Sequence, residues 1–286
     1  MRETVFTVYS PPAEGEQLPL VFDSPHSSAA FPQSDYVLNV GEAVLKTGWD
    51  AYIDELWQPA VKLGATLLAA GFSRMYIDPN RALDDIDPEL LNGVWPMALN
   101  PTKYSERGMG LIRRFALPNQ AMYGKALTAE EIAHRINTYY APYHAALSTQ
   151  LDTAKQQFGA VWHVDCHSMK STGNAMNIDA GDKRADIVIG DRMGQSANPE
   201  FTQVVADAFI HLGYQVALNY PYQGGQIISQ YGQPKAQCHS IQIEINRALY
   251  MDEAQFSKHS GFTLLQADLL RVSEAIRGYI REQLAL

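Results

Sequence analysis

Four short stretches place titratable side chains where an ordinary core would place apolar ones. In FDSPHSS (22–28) a histidine follows a proline just past an apolar run, where a strand should stop. An imidazole there is either a satisfied turn residue or a working acid, base or ligand. In VWHVDCHSM (161–169) strand alternation puts Asp165 and His167 on one face and Cys166 on the other. Asp165 can then accept the second ring N–H of His167, as carboxylates do behind metal-bound imidazoles. Cys166 is left as a small buried apolar residue. In SIQIEINR (240–247) isoleucines fill one face and Gln242, Glu244 and Asn246 the other. That is either the polar side of an edge strand or a rigid mount for a general base. In FSRMYIDPNR (72–81) Arg74, Asn80 and Arg81 stand at or beyond the exit of a strand. The planar fork of arginine holds carboxylates bidentately, with surface ion pairs as the plainer use.

Asp50 and Asp54 are four apart on a helix expected over 41–63, so they share a face beside the Trp49/Ile53 stripe. Two histidines at strand ends plus one carboxylate form an N,N,O set that suits zinc with an open position for water. Neither His26 nor His167 sits in a short zinc-binding spacing, so residue type and placement carry this expectation.

Apolar periodicity supplies the elements that must position these groups. Strands are expected at 18–22, 65–70, 161–165, 186–190, 216–219 and 241–245, with 74–77 extending or following the second. Helices are expected over 41–63 (kinked or shortened by Pro59), from the Thr128 capping box to about 158, from Asn198-Pro199 to Gly213, and over 262–284. Residues 83–127 are rich in Pro, Gly and Asn and read as a long irregular excursion over the active face. Alternating strands and helices favour a layered α/β domain with a parallel or mixed sheet. Without repeats, linkers or low-complexity segments, residues 1–286 read as one domain.

The net charge of −9, with no cluster of basic residues, argues against a nucleic-acid surface. The most apolar stretch, 60–72, is interrupted by Lys62 and is shorter than the roughly 20 residues a membrane span needs. No apolar run follows the N-terminus, so a signal peptide is not expected. Two cysteines make no disulfide framework, and a reduced, cytoplasmic protein is the expectation.

The pieces SPHSS, GWDAYIDELW, FSRMYIDPNRA, HVDCHSM, DIVIGDR and GGQIISQYGQP running into HSIQIEINRALYMDE occur in order from about residue 18 to 253. Together they resemble the N-formylglutamate amidohydrolase family and, more distantly, the zinc carboxypeptidases and aspartoacylases. The resemblance implies a three-layer α/β domain, a mixed central sheet flanked by helices as in the zinc carboxypeptidases. It implies one Zn²⁺ per chain, with His26, His167 and Asp50 as ligands and Asp54 as the alternative carboxylate. Glu244 would be the catalytic carboxylate and Arg74 would face the developing oxyanion. Asn80 and Arg81 would hold the substrate α-carboxylate, with Arg247 or the Arg113–Arg114 pair left for the side-chain carboxylate. The implied chemistry is attack of a zinc-activated water on a formyl carbonyl, with Glu244 carrying the proton to the leaving amine. Formate and glutamate would be released, as in histidine breakdown. The same residues would serve a zinc hydrolase of another N-acyl amino acid or a carboxypeptidase. Without metal they would suit a binding protein for a dicarboxylate. Each reading takes a small-molecule partner, and none calls for nucleic acid or membrane.

Overall fold

Short β-branched and aromatic runs build the centre of the molecule, described in a computed structural model for residues 4–32 and 38–285. Seven strands form the main sheet: β1 (Phe6–Tyr9), β2 (Leu20–Ser24), β3 (Thr66–Ala70), β4 (Val161–Met169), β5 (Ile187–Gly190), β6 (Val216–Leu218) and β7 (Cys238–Asn246). Their spatial order is β1-β3-β2-β4-β7-β5-β6. The run β3-β2-β4-β7 is parallel, β1 and β5 pair antiparallel to it, and β6 runs parallel to β5. The sheet is therefore mixed, as expected. β4 continues past Asp165 to Met169, which places His167 inside a strand. β7 is no edge strand, because β4 and β5 flank it.

Helices cover both faces, as a largely parallel sheet requires. They are α1 (Ile53–Trp57), α2 (Ala129–Arg135), α3 (Ala141–Phe158), α4 (Pro199–His211), α5 (Gln226–Tyr231) and α6 (Gly261–Leu284). Trp162, Val164 and Cys166 of β4 and the three isoleucines of β7 pack into one core with α1, α4 and α6. The second core joins Val21, Leu68 and Val161 to Ile132 of α2, Tyr143, Leu147 and Leu151 of α3 and Ile227 of α5. The result is three layers. The Thr128 hydroxyl accepts the Glu131 N–H at 3.2 Å and opens α2, and Asn198 accepts from Glu200 N–H to open α4.

Two expectations fail locally. The helix expected over 41–63 is broken: a helical turn and a 3₁₀ turn (Lys46–Gly48) end before Trp49, and α1 begins only at Ile53. The break is imposed from outside. Asp50 N–H donates to His26 O at 3.0 Å, so the loop takes a backbone donor a helix would have used, and the Trp49 indole Nε1–H pins the same segment to Ser27 O. A Cβ at Gly48 would lie 2.3 Å from Met75 Sδ, so any larger residue there would have to displace that buried side chain. Residues 74–77 do not extend a strand. Ser73 O accepts from Tyr76 N–H at 2.9 Å and Ser73 Oγ accepts from Met75 N–H, giving a turn.

Candidate active site

Three parallel strands bring His26, His167 and Glu244 together at their carboxyl ends, the usual location of ligand sites in open α/β sheets. His26 follows β2 by two residues, His167 lies near the end of β4, and Glu244 is the direct register partner of His167 on β7. Asp50 enters from the break in the 41–63 segment. If that segment were one helix, the Asp50 N–H would be committed within it; instead it ties Asp50 to the His26 loop.

The side chains converge on one point. Ligand atoms of His26, Asp50 and His167 lie within 4.8 Å of one another, and all three residues are buried. Asp50 Oδ2 is 3.5 Å from His26 Nδ1 and 3.2 Å from His167 Nδ1. Its other oxygen accepts from Arg247 Nη2 at 2.7 Å. Asp54 stands in the first turn of α1, outside this cluster. Behind the rings, His26 Nε2 is 2.7 Å from Asp78 Oδ1 and His167 Nε2 is 2.6 Å from Asp165 Oδ1. Each imidazole thus turns one nitrogen to a buried carboxylate and the other toward Asp50. This is the arrangement that fixes the tautomer of a metal-binding histidine.

The cluster fits a divalent cation on its own evidence. His26 Nδ1 is buried and makes no hydrogen bond, which is costly unless something is bound there. Burial, followed by Arg74, lowers the His26 pKa and keeps its ring neutral, the ligand form. Burial also opposes charge on His167, but Asp165 and Asp50 outweigh it and raise its pKa well above the usual value. A cation in the cluster would take the place of that proton. Asp50 is itself held well below the usual carboxylate range, since the two histidines and Arg247 overcome its burial.

Glu244 faces the same cleft, and its Oε1 accepts from Gln242 Nε2 at 2.9 Å. Burial, with Asp50 adding to it, raises its pKa against the pull of His167 and Arg74. A carboxylate displaced in that direction is better matched to proton transfer near neutrality. Arg74 grips Asp78 Oδ2 through Nε (3.1 Å) and Nη2 (2.6 Å), so one carboxylate joins the His26 ring to an arginine of the cleft wall. Asp78 carries no earlier expectation, although its place four residues after Arg74 was a signal that the two could meet.

Asn80 is fully committed. Its amide N–H groups donate to Asp165 Oδ2 (3.2 Å) and Gln242 Oε1 (3.3 Å), and its carbonyl accepts from Ile227 N–H (2.8 Å). A Cβ on Gly225 would lie 2.4 Å from Asn80 Oδ1, which explains a glycine there. Arg81 donates to Met109 O and Asn80 O and stacks over Tyr104 at 4.0 Å. Arg247 lines the cleft with its charge given to Asp50 and its Nε to Ser168 Oγ. The cleft has an empty volume of about 940 Å³, and part of the 83–127 excursion, through Tyr104, Met109 and Arg113, forms one wall. Arg74, Arg81, Arg113, Arg184, Arg247 and Lys170 face it against Asp50 and Glu244, so an acidic protein carries a cationic pocket. Such a pocket is built for an anion.

Among the described residues, no helix is long and apolar enough to cross a membrane. A crystal structure of an N-formylglutamate amidohydrolase from Ralstonia eutropha superposes with a TM-score of 0.91 at 44% identity, covering 97% of this chain and 99% of that one. A gene product of Agrobacterium tumefaciens shares the fold, with a TM-score of 0.69 at 19% identity over 97% of this chain and 96% of that one. The N-formylglutamate deformylase of Pseudomonas aeruginosa is 30% identical over 272 residues, 94% of this chain and 92% of that protein. The model of the N-formylglutamate amidohydrolase family matches residues 18–251, and the chain belongs to that family.

Proposed function

We propose that the chain hydrolyses N-formyl-L-glutamate to formate and L-glutamate, using one zinc ion held by His26, Asp50 and His167. The observation that carries this reading is the convergence of those three side chains beside Glu244 in a cationic cleft. The N-formylglutamate deformylase named among its relatives supplies the substrate. When bound, the ion would supply Lewis acidity and lower the pKa of water to about 7.

The rest of the chemistry falls to the chain. Glu244 takes a proton from the attacking water and returns it to the amide nitrogen as the C–N bond breaks. Water's oxygen ends in formic acid, which gives its remaining proton to the freed amine, so formate and glutamate with its ammonium group leave. Arg74, fixed by Asp78, offers positive charge to the oxyanion of the tetrahedral intermediate. Arg81 receives the α-carboxylate, while Asn80, its amide committed, fixes the loop that presents it. Arg247 holds Asp50 in place. Two free cysteines suit the reduced cytoplasm, where an N-formyl amino acid from histidine breakdown would be met.

Formate release from N-formylglutamate, measured with and without chelator, tests the proposal. Turnover that chelation abolishes and zinc restores is the expected result. No formate release from zinc-loaded protein overturns it.

A further inference from the structure

We propose that Arg113, with Lys170 adding charge, receives the side-chain carboxylate of the substrate and so sets the preference for an acidic amino acid. This rests on the reading of the chain as an N-formyl amino-acid hydrolase.

The inference comes from accounting for every arginine at the cleft. Arg74 is anchored by Asp78 beside the His26 ring, where it serves the oxyanion, while Arg247 is spent on Asp50 and Arg184 on Asp179 through two contacts of 2.7 and 2.9 Å. Arg81 gives donors to two carbonyls. Arg114, the chain neighbour of Arg113, turns instead to Asp87 and Glu89, each at 2.6 Å. Arg113 alone among these arginines has a side chain with no hydrogen-bond or ion-pair partner among the described residues, although only 9% of the residue is exposed. Its Nε is buried with nothing to donate to.

A guanidinium has five donors and cannot be left dry without cost. Burial, together with Arg74 and Arg81 nearby, pulls the Arg113 pKa down to about 9. The position is therefore unfavourable until an anion arrives, and a planar fork is the natural receptor for a carboxylate. Lys170 lines the same cleft and adds positive charge there; burial and then Arg247 lower its pKa against the pull of Glu253. The backbone around Arg113 is firmly held. Leu111 and Ile112 are fully buried, and Leu111 O accepts from Asp78 N–H at 2.8 Å. The segment presenting Arg113 is thus tied to the carboxylate that orients His26. Formylglutamate brings two carboxylates; Arg81 accounts for one and Arg113 for the other.

The experiment compares N-formylglutamate with N-formylglutamine, its neutral near-isostere, in wild type, R113M and R113K. R113M should lose roughly 30-fold or more in kcat/KM on formylglutamate, mostly through KM. On formylglutamine it should change less than about threefold, so the preference for the acid collapses. R113K should recover part of the loss, because charge without the fork is half the receptor. The R113M fold should be as stable as wild type or more so, since the change removes an unpaired buried charge. Equal losses on both substrates, or no loss on either, overturn the proposal. To separate it from the assignment of the reaction, glutarate and butyrate are titrated into zinc-loaded wild type and R113M by calorimetry. Wild type should prefer glutarate, and R113M should lose that preference, whether or not formylglutamate is the substrate turned over. Unchanged glutarate affinity in R113M overturns the subsite even if deformylation is confirmed.

Discussion

His163 and His167 lie four residues apart on β4, on the same face, each buried, and each with a carboxylate against Nε2. Only His167 faces the cleft that Asp50 and Glu244 also line. His163 Nε2 is 2.8 Å from Asp23 Oδ1, Asp23 Oδ2 accepts from Tyr143 Oη at 2.7 Å, and His163 Nδ1 is 2.7 Å from Ser240 Oγ. Every polar atom of that ring is answered within the protein, in a closed network between the sheet and α3. His167 sits two strand repeats further toward the carboxyl end, where Nδ1 meets Asp50 and the cleft rather than a hydroxyl. A buried His–Asp pair is therefore no mark of a site by itself. What distinguishes the site is a second nitrogen left for a ligand, at the carboxyl ends of the central strands where a small molecule can reach it.

Four substitutions would break or sharpen that contrast. The largest effect is expected for His167→Ala, which should lose the metal by elemental analysis and lower turnover by roughly 10³-fold or more, the scale of several kcal/mol of lost charge stabilisation. Full metal content in that variant would remove His167 from the ligand set.

Next is Glu244→Gln, which keeps volume and strand but cannot accept a proton. Its turnover should fall on the order of 10²–10⁴-fold with metal still bound. The raised Glu244 pKa also sets a sign. The base is lost as pH falls through that value, so the acid limb of kcat/KM should lie above the ordinary glutamate range, and Glu244→Gln should abolish the limb. An acid limb that survives in Glu244→Gln assigns it to another group.

Asp165→Asn should act at one remove. It keeps the side-chain shape and removes the charge behind His167, and zinc affinity measured by chelator competition should weaken about 10–100-fold. Affinity unchanged within error would mean that Asp165 is not what orients the ring.

The smallest effect on activity belongs to His163→Gln. Metal content and turnover should stay within about twofold of wild type. Denaturant unfolding should show a loss of about 1–3 kcal/mol, because Asp23 and Ser240 lose a buried partner. A large loss of turnover in folded, metal-loaded His163→Gln would dissolve the distinction between the two histidines.

The sequence by itself determined a good deal, and for a local reason. Strand alternation follows from a period of two, so Asp165 and His167 had to share a face with Cys166 opposite, and Glu244 had to face away from its flanking isoleucines. Caps at Thr128 and Asn198 depend on residues within a few positions, and both helices start there. The tertiary structure decided what depends on distant partners. Asp50 leaves its expected helix because backbone acceptors at His26 and Ser27 claim its segment, and it meets a histidine 117 positions away. The fate of each arginine was equally hidden. Arg247 is neutralised by a carboxylate 197 positions away, whereas Arg113 and Arg114, adjacent and identical in type, point one to an empty-handed cleft position and the other to Asp87 and Glu89. Charge is written in the sequence, but whether a charge is already paired is a matter of which strands and loops are brought together, and that is what separates a structural arginine from one that can hold a substrate.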